Sequence, residues 1–461
     1  MFGRVHDVKG GSRQTVLAAA LVALELISGM QIFLNQTILP IMAADLNAQN
    51  YYGVLSGTSS IFTLAALPIG AGLARRFRLK PLMLVLTVGM CAGAVVSAVA
   101  PTIGMYLAGL VIRAFASGCL ATTTIGAAAI GLESRARQVT FALMSASWII
   151  SSIVGPVYAA WVTAALSWRW AMIIYLPLLL AGRWLIAASM RDDSREDRAS
   201  LGIGGALLLG VGLALTILPV TGWPKTVCVV AGTVVLFYGA WRVLPPGTFA
   251  LATPRHAAIG LYFGLVGAYF AVNAIVSLTA HDVLHVSTPG LGAIVMSGGL
   301  TWAVVGFLCG IRPAKTKLAF RVRASTGVAL IAISEAGAGL WLYTANVIWH
   351  PVVVLGAFWG GAGIGMGLVY LDTINVMFTQ PVEPDGLSMK TVAGANVMAE
   401  SIASAIFSAL ATTWVATSYG ASLSLITRHS TAYVASGILA CLCFVPIAKI
   451  GAGRAILTSE D

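Results

Sequence analysis

The sequence predicts an all-α polytopic membrane protein, and three observations carry that reading. Of 461 residues, 58% are hydrophobic and only 9% are charged, with a mean hydropathy of +0.91. A soluble chain of this length carries charge on about a quarter of its residues. The apolar residues gather into runs of about 20, the length a helix needs to cross hydrocarbon. Finally, the basic residues sit between these runs and mostly in alternate gaps.

The runs lie near 15–40, 52–74, 81–100, 102–131, 138–164, 169–190, 201–222, 225–244, 257–279, 290–311, 323–344, 348–372, 388–418 and 430–450. These fourteen predicted spans leave both termini on one side of the membrane. Placing that side in the cytoplasm assigns it nearly all of the 27 Lys and Arg residues. Arg169, Lys225 and Arg428 fall outside, and Arg113 and Arg183 fall within spans. This asymmetry follows the positive-inside rule. The net charge of +11 is therefore read as facing anionic lipid, not nucleic acid. Six runs precede the charged segment MRDDSREDRAS (190–200), and two more lead to the linker RVLPPGTFALATPRH (242–256). The expected domains are a six-helix bundle over 1–190, a charged loop with two inserted helices and linker over 191–256, and a second six-helix bundle over 257–461. The N-terminal MFGRVHDVKGGSRQ enters the first span directly, so no cleavable signal peptide is expected. The six cysteines lie in apolar runs without metal-ligand spacing and are expected to be reduced. The histidines His281, His285, His350 and His429 are expected in external loops.

The first span holds three carboxamides, Gln31, Asn35 and Gln36, in GMQIFLNQTILPIMAADL (29–46). The fourth holds Arg113 in GLVIRAFASGCLATT (109–123), deep in apolar sequence where an unpartnered arginine is costly. The fifth contains Gly155-Pro156, flanked by small residues (Ser151, Ala159, Ala160) that permit close helix approach and expected to break the helical hydrogen-bond ladder. Between the second and third spans stands GAGLARRFRLKPLML (70–84).

These elements resemble the major facilitator superfamily, and within it the fourteen-span drug:proton antiporter branch. The resemblance implies a major facilitator fold of two six-helix bundles plus two inserted helices, working by alternating access. Arg113 matches an arginine associated there with proton coupling, and Gly155-Pro156 matches the antiporter signature. Leu73, Arg76 and Lys80 fit the family's cytoplasmic-turn motif, whereas Arg75 stands at its aspartate. Anchored on Pro40 and Asp45-Leu46, Gln31 stands at a position usually held by an acid. Glutamine keeps the shape of glutamate but cannot titrate. The segment LGVGLALTILPVTGW (209–223) resembles the branch's first inserted helix, with a lipid-facing scaffold composition.

Protons then need other acids. Glu25, Glu335, Asp372 and Glu400 lie in predicted spans, where ionisable residues are functional candidates. Glu25 either lines a cavity with Gln36 or meets a neighbouring helix. Asn396 lies one turn before Glu400. Asp372 is a coupling acid or a solvated helix end. Gln31, Asn35, Gln36, Tyr158 and Asn396 are the candidate cavity residues, with Tyr269, Trp302, Phe358 and Trp359 as further aromatics. Aromatics beside an acid suit lipophilic cations through cation–π contact. The absence of a P-loop in the sequence argues against ATP drive.

The expected function is a proton-coupled exporter of amphiphilic small molecules, multidrug efflux included, in a bacterial inner membrane. Two alternatives stay open. One is a dedicated exporter of a single endogenous metabolite, such as a siderophore or lipid precursor. The other is an uncoupled facilitator or transporter-like sensor. An enzyme, a cofactor, a metal or a nucleic-acid partner is not expected. The expected partners are the substrate, protons and the bilayer; a periplasmic adaptor is compatible with the sequence but not indicated by it.

Overall fold

A computed structural model describes residues 3–47, 52–189, 203–218, 220, 222–286, 288–344, 350–379, 385–416 and 423–452. The charged segment 190–200 and the side chains of Gln36, Pro156 and Ala160 lie outside the described residues. Every regular element among them is helical. Among the described residues, eleven helices are long and apolar enough to cross a membrane, and Ile203–Thr216 is a shorter apolar helix. Helix falls on each of the fourteen predicted runs.

The chain divides into two compact units, residues 1–210 with 389–397, and 211–388 with 398–461. The first unit contains α1 (Gly3–Asp45), α2 (Tyr52–Arg76), α3 (Leu79–Ala98), α4 (Ile103–Gly131), α5 (Ser134–Ala165), α6 (Trp168–Ala171) and α7 (Leu176–Ser189). The sixth predicted run is thus two helices. Pro177 explains the break, because proline has no N–H to donate back to the Ile173 carbonyl and is tolerated in the first turn of α7. By contrast α5 continues through Gly155 and Pro156, so the expected interruption there does not end the helix.

Small residues set the spacing of this unit. A Cβ on Gly93 of α3 would lie 2.6 Å from the backbone N of Arg113, so only glycine lets α3 approach α4 this closely. A Cβ on Gly29 would lie 2.7 Å from Ser151 Oγ, and Ser151 donates to the Leu26 carbonyl at 2.8 Å, locking α1 to α5. Cys119 of α4 is accommodated from the other side. Its Cα faces Gly70 of α2, where an added Cβ would come within 2.5 Å.

At its far end α1 is tied down by Asp45. The carboxylate accepts from Arg169 Nη1 at 2.6 Å and Trp168 Nε1 at 3.1 Å, and the guanidinium lies 4.4 Å from the Trp168 ring. Arg169 first, then Trp168, holds this carboxyl below its ordinary range. A depressed folded pKa contributes stability above the unfolded value, about 3.9, and loses it as pH falls through the folded value. Both partners are solvent-accessible (35% and 46%), so Asp45→Asn is expected to cost under about 1 kcal/mol at neutral pH. Melting curves of both proteins should converge as pH falls below the folded value of Asp45; a gap as wide in acid as at neutral pH would rule the ion pair out.

The second unit contains α8 (Ile203–Ile217) from residue 211 onward, α9 (Trp223–Val243), α10 (Pro254–Leu278), α11 (Thr288–Ile311), α12 (Lys317–Thr344), α13 (Pro351–Phe378), α14 (Met389–Ala416) from residue 398, α15 (Leu425–Leu442) and α16 (Phe444–Ala452). A π-helical turn, Thr279–Val283, extends α10. The break at Cys443 precedes Pro446, which cannot donate back to Leu442. Within the unit α10 is the enclosed helix, with Ile259, Leu261, Tyr262 and Val266 wholly buried. The helix α9 is peripheral, leaving Val227, Val230, Val234 and Trp241 exposed. That is the surface of a lipid-facing scaffold.

Two expectations need correction here. His429 is not in a loop. Ser424 caps α15 by accepting from the Thr427 N–H at 3.1 Å, which starts the helix at Leu425 and buries His429 within it. Asp372 is not a solvated helix end, because α13 continues to Phe378 and leaves Asp372 only 3% exposed.

Candidate functional site

The first unit gathers its buried charges on α1, α4, α5 and α7. Arg113, 8% exposed, donates from Nη1 to Asn35 Oδ1 at 3.3 Å. A first-span amide thus answers the arginine's need for a partner. Glu25 Oε1 accepts from Trp148 Nε1 at 2.9 Å, so of the two sequence alternatives it meets a neighbouring helix, α5. Arg183 is buried on α7, donates to Thr124 Oγ1, and lies within electrostatic reach of Glu25. Gln31 is buried, and its Nε2 has no hydrogen-bond partner. Arg183 thus has Glu25 as its carboxylate neighbour, while Arg113 is answered by Asn35. Tyr158 is not part of the cluster, since its hydroxyl donates to the Ala171 carbonyl at 3.0 Å and fixes α5 to α6.

The turn between α2 and α3 carries Leu73 and Arg75 half-buried and Arg76 and Lys80 exposed. Arg75 Nε is buried without a hydrogen-bond partner. An arginine at the family's aspartate position cannot make the anionic contact that the motif normally supplies.

The second unit holds an acid against an aromatic cluster. Glu400 Oε2 accepts from Tyr262 Oη at 2.7 Å, and Tyr370 Oη donates to Oε1 at 3.3 Å. The Tyr262 and Tyr370 rings lie 5.3 Å apart, Tyr370 and Trp302 5.2 Å, Trp302 and Tyr269 5.2 Å, and Tyr269 stacks on Trp359 at 4.6 Å. Tyr269 and Trp359 are buried, while Trp302, Tyr370 and Glu400 are half-buried. Of the predicted aromatics, Tyr269, Trp302 and Trp359 thus come together. Phe358 packs instead on Gly337 of α12. Asn396, one turn before Glu400 along α14, belongs to the first unit and is buried with its Oδ1 unpartnered. A carboxylate held by two phenols beside stacked rings provides ion-pair and cation–π contact for an organic cation.

The remaining acids of this unit differ. Asp372 accepts from Arg323 Nη1 at 2.9 Å and from the Ala314 N–H at 3.1 Å, and Arg323 also donates to the Arg312 carbonyl at 2.9 Å. These bonds knit the α11–α12 turn to α13. Glu335 is 1% exposed, and neither of its oxygens has a hydrogen-bond partner.

Sequence reasoning passed over Tyr262, Tyr370 and Arg183. The argument that singled out Arg113, a cation inside a span, applies equally to Arg183. The tyrosines had no such signal, because aromatic residues are common in spans and only the fold brings these two to Glu400.

The Major Facilitator Superfamily profile matches residues 21–408. Among curated relatives, the acurin A biosynthesis cluster MFS-type transporter of Aspergillus aculeatus is 24% identical, over 82% of this chain and 71% of that protein. The probable triacylglyceride transporter ML0556 of Mycobacterium leprae is 26% identical over 54% and 52%. The multidrug resistance protein B homolog of Mycobacterium tuberculosis is 24% identical over 71% and 64%. The chain thus spans about half to two-thirds of the length of these mycobacterial relatives. Among solved structures, the human organic anion transporter MFSD10 (TETRAN) matches with TM-score 0.68 at 14% identity, covering 94% of this chain and 99% of that one. The proton:xylose symporter XylE matches at TM-score 0.63 and 12% identity, covering 95% of each chain.

Proposed function

This chain belongs to the major facilitator superfamily and is a multi-pass membrane transporter, not an enzyme. On that premise we propose that it is a proton-coupled exporter of amphiphilic small molecules, organic cations foremost, working by alternating access. The observation that carries this reading is the Glu400 carboxylate, held by Tyr262 and Tyr370 at the end of an aromatic cluster. Such a site binds a cation with an apolar body better than a sugar or an anion. Relatives named efflux pump and multidrug resistance homolog support the direction of transport.

The coupling proton is assigned to the first unit. There Glu25 shares its surroundings with Arg183, and Arg113 is held by Asn35. Protonating Glu25 removes the carboxylate that faces the buried Arg183, and that charge imbalance is the force coupling would use. Gly155 and Pro156 are read as the antiporter element. Leu73, Arg75, Arg76 and Lys80 form a cytoplasmic turn whose usual anionic latch is replaced. The alternation of basic residues supports fourteen spans with both termini cytoplasmic, in the cytoplasmic membrane of a bacterium.

Inverted vesicles test the reading. A fluorescent lipophilic cation should accumulate under an imposed pH gradient and cease to accumulate when the gradient is collapsed. Glu25→Gln is expected to abolish gradient-driven accumulation while leaving cation binding within about twofold, since Gln keeps the shape of the side chain. Accumulation that survives collapse of the gradient would sink the coupling reading. A second reading, export of one endogenous lipophilic metabolite, is favoured by the relatives named for a biosynthesis cluster and for triacylglyceride transport. A substrate panel separates the two, with many cations expected under the first and one metabolite under the second.

A further inference from the structure

A cavity of about 480 Å³ lies between α9, α10, α14 and α15, wholly within the second unit. Its lining includes neither Glu400 nor the rings beside that acid. The volume is in the range of small-molecule pockets, about 300–1,000 Å³. Its origin is local. At one end Phe407 of α14 lies over Gly267 of α10, where a Cβ would clash with the ring, and Phe237 of α9 packs edge-on against Phe407 at 5.8 Å. These rings hold α9 to α14 at that level. About two turns earlier in α9, at Val229, the other walls include Ala271, Ala411, Ala432 and Ala435, and side chains this short leave the gap unfilled.

The wall is apolar in effect as well as in composition. Ser436 donates to the Ala268 carbonyl at 2.7 Å, Thr431 to the Thr427 carbonyl at 2.8 Å, and Trp414 Nε1 to the Arg428 carbonyl at 3.1 Å. Their hydrogens are directed into the protein. A cavity with such walls takes hydrocarbon in preference to a polar molecule. Thr431 and Ala435 of the lining are exposed, so the cavity opens on the surface beside the exposed Val227 and Val230 of α9. From Thr431 to Leu439 it follows α15 for about 12 Å. It is a slot along a membrane-crossing helix, the direction in which acyl chains lie.

The charge at its mouth selects a head group. Lys225 stands one turn before Val229 in α9, and Arg428 one turn before Thr431 in α15. Lys225 Nζ donates to the Thr216 and Leu218 carbonyls at 2.9 Å each, and Arg428 Nη1 to the Val415 carbonyl at 2.8 Å, which fixes the two cations at the ends of α8 and α14. They are two of the three basic residues that the sequence places on the sparsely basic side of the membrane. Against them stands Asp282, within electrostatic reach of His429 beside Arg428, so the charge left over is positive.

We propose that this cavity binds one acyl chain of an anionic phospholipid from the surrounding bilayer, with Lys225 and Arg428 holding its phosphate. The lipid joins the peripheral α9 to α14 and α15. The inference stands apart from the export reading, since it needs neither a cargo nor a proton.

Photolabelling of the full chain in phosphatidylcholine vesicles tests it. The probe is a trace of phosphatidylglycerol with a diazirine near the end of one acyl chain, and adducts are mapped by peptide mass spectrometry. Adducts are expected on 407–414 and 431–439, well above those at the exposed Ile333 and Leu340 of α12. Phosphatidylcholine with the same labelled chain should give about fivefold fewer. Arg428→Gln and Lys225→Gln should each lower the phosphatidylglycerol yield about fivefold. Ala435→Trp, which fills the slot and leaves both charges, should abolish it. Adducts no denser here than on α12 overturn the site. Equal labelling by the two head groups overturns the anionic assignment. Loss of the adducts on adding a lipophilic cation would make the cavity a cargo site instead. These three outcomes are read on the wild-type chain, so a variant that fails to fold leaves the test standing.

Discussion

Replacing Asp385 by alanine is expected to destabilise the second unit by about 3–5 kcal/mol. Arg255 and Asp385 form an ion pair in which each side chain is only 4% exposed. Arg255 Nη1 donates to Oδ1 at 3.0 Å, to Oδ2 at 3.2 Å and to the Leu387 carbonyl at 3.2 Å, while Nε donates to the Met377 carbonyl at 3.0 Å. Asp385 Oδ1 also accepts from the Leu387 N–H at 3.0 Å. The guanidinium thus ties the first turn of α10 to the last turn of α13 and to the entry of α14. Without Asp385 the two carbonyls remain, but the charge is buried uncompensated. The double replacement Arg255→Met with Asp385→Leu is expected to recover most of the loss, because an apolar pair carries no desolvation cost. Thermal unfolding of the four proteins in detergent gives the coupling. An Asp385→Ala protein that melts with wild type would show that the pair holds nothing together.

Neither residue could be picked out from the sequence. Arg255 reads as one more basic residue in a loop, and Asp385 as an acid near a turn. Only the fold brings residues 130 apart into contact. The same limit explains the rest of what the sequence left open. Hydropathy is a local property, so the helices were legible from runs of apolar residues, and the cost of buried charge was enough to single out Glu25, Arg113, Glu335 and Asp372. What each of them meets is a long-range matter. Arg113 needed a partner, and Asn35 lies 78 residues away. The amides looked alike in sequence, yet Asn35 is engaged by a guanidinium while Gln31 Nε2 stays unpartnered. Helix starts shifted for local reasons that composition hides. The Ser424 cap moved His429 from an expected loop into the interior, where its Nδ1 lies 2.8 Å from Thr279 Oγ1.

The two units also differ in which ionisable side chains they hold, which composition of the whole chain conceals. The first encloses Arg113 and Arg183 with Glu25, whereas the second places Glu335 and Glu400 among tyrosines. A net charge of +11 says nothing of this, because most of that charge lies between the spans. The acid that meets the cation and the acid that meets the coupling proton need not be one residue.

Glu400→Gln is accordingly expected to weaken transport of organic cations by about ten- to a hundredfold in apparent affinity, with neutral amphiphiles affected by less than about threefold. The argument is one of charge at constant shape. The amide oxygen can still accept from Tyr262, which lies 2.7 Å from the native carboxylate, so the phenols, the edge-on Trp302 and the stacked Tyr269 and Trp359 keep their places. What is lost is the full charge, worth about 1.5–3 kcal/mol beyond the neutral hydrogen bond and the cation–π contact that remain. Tyr262→Phe separates charge from positioning. It removes the shortest bond to the carboxylate but leaves the charge, so cation affinity should fall by a smaller factor and the loss should extend to neutral compounds as the carboxylate swings. Concentration-dependent uptake of a cationic dye and a neutral analogue of the same ring system, in vesicles of each variant, measures both. Equal losses for the two dyes in Glu400→Gln would mean that the residue shapes the unit and does not read the charge of the cargo.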